Sequence, residues 1–151
     1  MDRPASNHLR RGRFSEPGRI YLLTSTTKDR RPIFADFGAA RCLPPLLHQA
    51  EIENALRSLA WVIMPDHFHW LIELRDSTLC SLMRRFKSRS RCSLYKQGKV
   101  EGRLWQSGYH DQALRRDEDV RDFARYIVCN PLRAGLAERL GDYPHWDAVW
   151  L

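Results

Sequence analysis

The sequence predicts an α+β fold of ferredoxin-like, RRM-like type: an antiparallel sheet with packed helices. Three observations lead there. The hydrophobic periodicities run strand, helix, strand-strand, helix, strand, helix. A Pro65-Asp66 turn joins two adjacent apolar runs, which makes them antiparallel neighbours. Finally, 151 residues with 43% hydrophobic side chains suffice for one well-packed core and one domain.

The elements follow in order. Residues 1–18 mix Arg, Pro, Ser and Gly without periodicity and read as a flexible basic arm, leaving 19–151 as a single domain. Ile20 to Thr26 has strand composition, and the polar stretch Thr27 to Pro32 ends it. Pro44 and Pro45 suit a helix opening, and the apolar positions Leu46, Leu47, Ala50, Ile52, Ala55, Leu56 and Leu59 extend that helix to about Ser58. Ala60 to Met64 and His67 to Leu74 then form a central hairpin. From Ser77 to about Lys96, Leu79, Leu82, Met83, Phe86 and Leu94 recur at helical spacing, with a cationic outer side. Short strand-like pieces lie between Leu104 and Leu114. Asp117 suits an N-cap, with Glu118 and Asp119 in the first turn of a last helix running to about Asn130. Pro131 interrupts that helix, and Gly135 can close any continuation.

Composition narrows the function classes. The longest apolar stretch, Leu59 to Met64, is far short of the roughly 20 residues that cross a bilayer, so no membrane span is expected. No apolar run follows Arg3, Arg10, Arg11 and Arg13, which argues against a secretory signal and for a cytoplasmic protein. Cys42, Cys80, Cys92 and Cys129 form no CxxC pair, so a zinc knuckle and a redox motif are both disfavoured. The formal charge of +7 and a pI near 9.6 favour a polyanionic partner, nucleic acid first, with a merely solvated basic surface as the plain alternative.

The chemistry concentrates in Trp61 to Leu74. On a strand, His67 and His69 project from one face about 7 Å apart, while Phe68, Trp70, Ile72 and Leu74 project from the other. Two imidazoles so placed can share a metal ion, although surface or hydrogen-bonded core histidines meet the same spacing. In the last helix Val120, Phe123, Ala124, Ile127 and Val128 form an apolar stripe with Tyr126 on its rim and Asn130 one turn later. A phenolic oxygen and an amide carbonyl there can face the histidine pair. An anchoring aromatic and a helix terminator are the alternatives. His110 and Asp111 are candidates for a proton shuttle, secondary ligand or structural pair, and Glu73 for orienting an imidazole. Arg84, Arg85, Lys87, Arg89 and Arg91 offer charge to backbone phosphates, while Trp105 and Tyr109 offer rings to unpaired bases.

His67-Phe68-His69 resembles the histidine-hydrophobe-histidine (HUH) motif, and Tyr126-Ile-Val-Cys-Asn130-Pro-Leu-Arg-Ala-Gly135 resembles the tyrosine helix of single-tyrosine HUH transposases. More closely, the chain is similar to REP-associated tyrosine transposases from about Gly18 to Trp146. That stretch includes Tyr21 to Phe34, Trp61 to Leu74, Trp105 to Arg115 and Asp142-Tyr-Pro. The resemblance implies nicking and rejoining of single-stranded DNA near hairpins through a 5′-phosphotyrosine link. It implies Tyr126 as nucleophile, His67, His69 and Asn130 as ligands of Mg²⁺ or Mn²⁺, and hairpin DNA as partner, with a homodimer as one assembly. Asp66 stands where asparagine is common, and Leu22 where histidine is. Two other readings remain: an RRM-like module that binds hairpins without catalysis, and a metal nuclease that uses water.

Overall fold

A computed structural model describes residues 15–115 and 119–150. The expected basic arm through residue 14, and the expected N-cap Asp117 with Glu118 of the first turn, lie outside them.

Alternation in Ile20–Thr26 (β1) sends Tyr21, Leu23 and Ser25 to one face and Leu22, Thr24 and Thr26 to the other. After two single turns, Asp36 caps a short helix, Phe37–Ala40 (α1), by accepting from the Ala39 amide at 2.8 Å. Leu43–Ile52 (α2) follows, with prolines in its first turn, where their missing N–H groups have no helical partner anyway.

The helix stops six residues before the expected Ser58. Asn54 adopts φ 59°, and its amide bonds to the Glu51 carbonyl while that of Ala55 bonds to Ala50. This pair of bonds is a Schellman closure with asparagine in the left-handed position. Leu56 and Leu59, which fit helical spacing on paper, belong instead to Leu56–Met64 (β2), whose pairing shifts between Ser58 and Ala60. The bulge breaks strict alternation, which is why the strand's start reads as helix.

Turning at Pro65-Asp66, the chain enters His67–Leu74 (β3) and then the 18-residue helix Leu79–Lys96 (α3), capped by Thr78. His110–Ala113 (β4) precedes Val120–Val128 (α4), which Asp119 caps on the Arg121 amide at 2.9 Å. Asn130–Arg133 (α5) adds a further turn, and Gly135 at φ 76° ends it. A strand the sequence pattern does not reveal, Trp146–Ala148 (β5), completes the sheet. Three residues are too few to show a period.

The strands lie in the order β4-β1-β3-β2-β5, all neighbours antiparallel, so the first four have the ferredoxin-like arrangement with β5 added at the β2 edge. Helices cover both faces. On one, α2 and α3 bury Phe68, Trp70, Ile72 and Leu74 of β3 with Phe34, Phe86 and Trp105. On the other, Ala124, Ile127 and Val128 of α4 pack on Val62, Met64 and Leu71. By alternation the histidines belong to this second face, beside Leu71, the face on which α4 packs over β2. No helix among the described residues is long and apolar enough to cross a membrane.

Candidate active site

His67 and His69 stand two residues apart on the central strand, their ring centroids 5.0 Å apart and their planes nearly perpendicular at 79°. Each ring is anchored through Nδ1. His67 Nδ1 donates to Asp66 Oδ1 at 2.8 Å, and Arg30 Nε donates to the other carboxylate oxygen at 3.0 Å. His69 Nδ1 lies 2.8 Å from Thr24 Oγ1, its register partner on β1. With Nδ1 protonated toward these partners, both Nε2 lone pairs are left for a ligand. The Asp66 carbonyl accepts from the Thr27 amide and hydroxyl, so the turn that orients His67 is itself pinned to the end of β1.

Electrostatics keep the His69 ring able to coordinate. Burial, reinforced by the charges of His67 and Arg133, pushes His69 down to about 4, so it is neutral at physiological pH. Burial raises the Asp66 carboxyl, but the His67 hydrogen bond and the charges of His67 and Arg30 outweigh it and leave the group below its ordinary value. Asp66 therefore stays an acceptor, and the His67 tautomer is held.

The helix side is built on spacing. Tyr126, Asn130 and Arg133 stand at i, i+4 and i+7 and share one side of the nearly continuous α4–α5 unit, because its apolar stripe is turned into the core. Tyr126 is 63% exposed, unusual for a large aromatic. The Arg133 guanidinium lies 3.8 Å from the centroid of its ring. Arg133 Nη2 donates to the Tyr126 carbonyl at 2.6 Å and to Asn130 Oδ1 at 2.8 Å. Because the Arg133 charge also acts on His69, it ties the phenol-bearing helix to the imidazole pair.

Among the described residues no three His, Cys, Asp or Glu side chains converge as a metal cluster. The neutral donors on this face are the two imidazole nitrogens and the Asn130 amide oxygen, the last of them engaged by Arg133. Imidazole nitrogen and amide oxygen are donors of the kind that divalent ions accept.

Other sequence candidates fall elsewhere. Trp105 is 5% exposed, with its indole N–H donating to Ser90 Oγ at 2.9 Å and its ring packed on Phe34 and Phe68, so it is a core residue and not an open platform for bases. Tyr109 is buried likewise. The cations of α3 lie on the opposite side of the sheet from the histidines. Arg85 and Arg89 pair with Glu53 at 3.3 and 2.7 Å, Arg91 donates to the Gly102 carbonyl at 2.8 Å, and Lys87 reaches the carbonyls of Gln106 and Gly108. Arg84 is exposed. A groove of about 720 Å³ between α3 and the 102–108 loop is lined by Lys87, Arg91 and Arg103 and, among the described residues, by no acidic side chain. Glu73 pairs with Arg75 and Arg57 and orients neither imidazole. His110 sits opposite Thr24, which sits opposite His69, so all three belong to one cross-strand row on the site face. Sequence reasoning gave no role to Arg133, Thr24 or Arg30. Arg133 has a readable signal, two turns beyond Tyr126, but Thr24 and Arg30 depend on strand register and a turn conformation.

An α+β sheet with paired histidines on its central strand and a tyrosine helix over the same face defines a class of protein, and comparison with known proteins assigns its family. The model of the family described as Transposase IS200 like matches residues 18–130, and the chain belongs to that family. It is 29% identical over 89 residues to the REP-associated tyrosine transposase of Escherichia coli strain K12, covering 56% of this chain and 50% of that one. A Haemophilus influenzae relative is 25% identical over 99 residues, covering 58% and 56%. The matches thus span about half the length of these curated relatives. A solved structure of a REP-associated tyrosine transposase bound to a REP hairpin superposes with a TM-score of 0.73 at 23% identity, over 89% of this chain and 79% of that one, a likeness of fold.

Proposed function

We propose that this chain is a single-tyrosine DNA nicking and joining enzyme acting on single-stranded DNA near hairpins, as the names of its relatives suggest. The observation that carries the reading is the pair of Nδ1-anchored imidazoles on the face that also bears Tyr126, Asn130 and Arg133. Residues 19–151 then act as one catalytic domain, with 1–18 as a basic arm, in the cytoplasmic compartment where DNA is found.

His67 Nε2, His69 Nε2 and Asn130 Oδ1 are the groups that would hold Mg²⁺ or Mn²⁺, whose charge polarises a scissile phosphate. Tyr126 supplies the nucleophile. Its Oη–P bond forms as the bond from phosphorus to the upstream 3′-oxygen breaks; the phenolic proton leaves to solvent, and the departing oxygen takes up a proton to become a 3′-OH. A free phenol titrates near 10, so attack at neutral pH requires that the phenolic proton be given up as the bond to phosphorus forms. The phosphotyrosine keeps a phosphodiester bond intact, which lets another hydroxyl reseal the strand without an external energy source. The groove bearing Lys87, Arg91 and Arg103 offers the hairpin backbone a cationic track.

The test is to incubate the protein with labelled single-stranded hairpin oligonucleotides and Mg²⁺ or Mn²⁺, then denature. Covalent adduct from the wild type and none from Tyr126→Phe is the expected result. Cleavage without adduct would make it a water-using nuclease, and binding with neither outcome a hairpin-binding module.

A further inference from the structure

Asn130 Oδ1, the oxygen needed to complete the ligand set, is already engaged by Arg133. The same guanidinium lies over the Tyr126 ring and donates to its carbonyl. Among the described residues it pairs with no carboxylate: its partners are two neutral oxygens and an aromatic face. A guanidinium held only by neutral acceptors is free to move to an anion, because a charge-assisted, bidentate contact with phosphate is about twice as strong as a neutral one. A cation on the imidazole pair and the Arg133 charge also repel each other unless an anion stands between them.

The geometry points to Arg133 as a phosphate-operated latch: without DNA it holds Asn130 Oδ1 and covers the Tyr126 ring, and a DNA phosphodiester draws it away, releasing the amide oxygen to the metal. The inference rests on the proposed metal site. It makes metal and substrate bind cooperatively, so that the ligand set is complete only when a phosphodiester is present. The consequence is a device against idle chemistry at an exposed tyrosine.

A purely structural role for Arg133, bracing the end of the tyrosine helix, predicts the opposite sign in one measurement. Titrate the full chain with Mn²⁺ alone, following free Mn²⁺ by electron paramagnetic resonance, then repeat with saturating thymidine dinucleotide TpT or its uncharged methylphosphonate analogue. In wild type TpT should tighten Mn²⁺ binding by roughly ten- to hundredfold, the range of ordinary coupling between sites. The methylphosphonate should not. Arg133→Ala should bind Mn²⁺ alone several-fold tighter than wild type and lose most of the TpT effect, whereas Arg133→Lys, which keeps a charge, should retain part of it. Weaker or unchanged Mn²⁺ binding in Arg133→Ala, or equal coupling by TpT and its neutral analogue in wild type, would overturn the latch. The comparison of the two dinucleotides needs no mutation, so equal coupling overturns the latch even if Arg133→Ala fails to fold, while Arg133→Lys, with its partial loss of the TpT effect, separates the latch from direct contact of phosphate with the metal. His69→Ala separates the two levels: if it leaves Mn²⁺ affinity unchanged, the metal site itself is wrong and the latch falls with it. If affinity drops but the Arg133 signs are absent, only the latch falls.

Discussion

The two sides of β3 differ in everything but their backbone. Phe68, Trp70, Ile72 and Leu74 are fully buried against α2 and α3, with the Phe68 and Phe86 rings 5.0 Å apart and the Trp70 indole donating to Ser58 at 2.9 Å. His67 and His69, interleaved with them, are only partly buried, and each depends on one hydrogen bond for its orientation. The apolar side fixes where the strand lies, through many weak contacts that tolerate little movement. The polar side fixes where each imidazole points, through few strong contacts that can be removed singly. A stable platform and an adjustable site are thus made from alternate residues of one eight-residue strand.

Substitutions on the two sides should therefore separate activity from stability. The largest effect expected is from Tyr126→Phe, which should lower covalent adduct formation by on the order of 10⁴-fold or more, as removal of a nucleophile does elsewhere. Urea denaturation should barely change, since the residue is exposed. Phe68→Ala should do the reverse, costing about 3–5 kcal/mol of folding stability from the emptied aromatic cluster. Equal losses of stability from both variants would erase the distinction between the faces. Asp66→Ala should weaken Mn²⁺ binding about 10- to 100-fold by releasing the His67 ring, with a much smaller change in the denaturation midpoint.

The smallest effect lies away from both faces, at the Glu53 carboxylate that joins the end of α2 to α3. Hydrogen bonds from Arg89 and Gln49, with the charges of Arg89 and Arg85, bring it down to about 2. The folded chain therefore binds this proton less readily than the unfolded one. The contribution to stability is full above the ordinary carboxylate range and is lost as pH falls through that range toward about 2. Glu53→Gln should flatten this part of the profile, seen as a smaller drop in Tm between neutral and acid pH than in wild type. The change should be slight, because solvent screens the pair.

How much of this was legible in the sequence followed how local each cause is. β1 and β3 were readable because their alternation is regular, and the Tyr126–Asn130 spacing because it lies within one helix. The end of α2 was not, since Ala55, Leu56 and Leu59 satisfy a helical period and a bulged strand alike, and Asn54 in a left-handed turn decides between them. Trp105 as a stacking platform failed for a related reason: composition shows an aromatic near basic residues, but only the tertiary contact with Ser90 and Phe68 shows that it is enclosed. The α3 cations look available along the chain until Glu53, from a different element, claims two of them. Thr24 is the same lesson in the site itself, invisible until β1 is laid beside β3.

That pairing carries a further consequence. Because Thr24 meets His69 only in the observed alignment of β1 with β3, a slip of one position would rotate the imidazoles into the aromatic packing and bring Phe68 and Trp70 out in their place. Strand alignment thus belongs to the proposed site as much as any side chain does. Variants along β1 that loosen this alignment should lose Mn²⁺ binding well before they lose the fold.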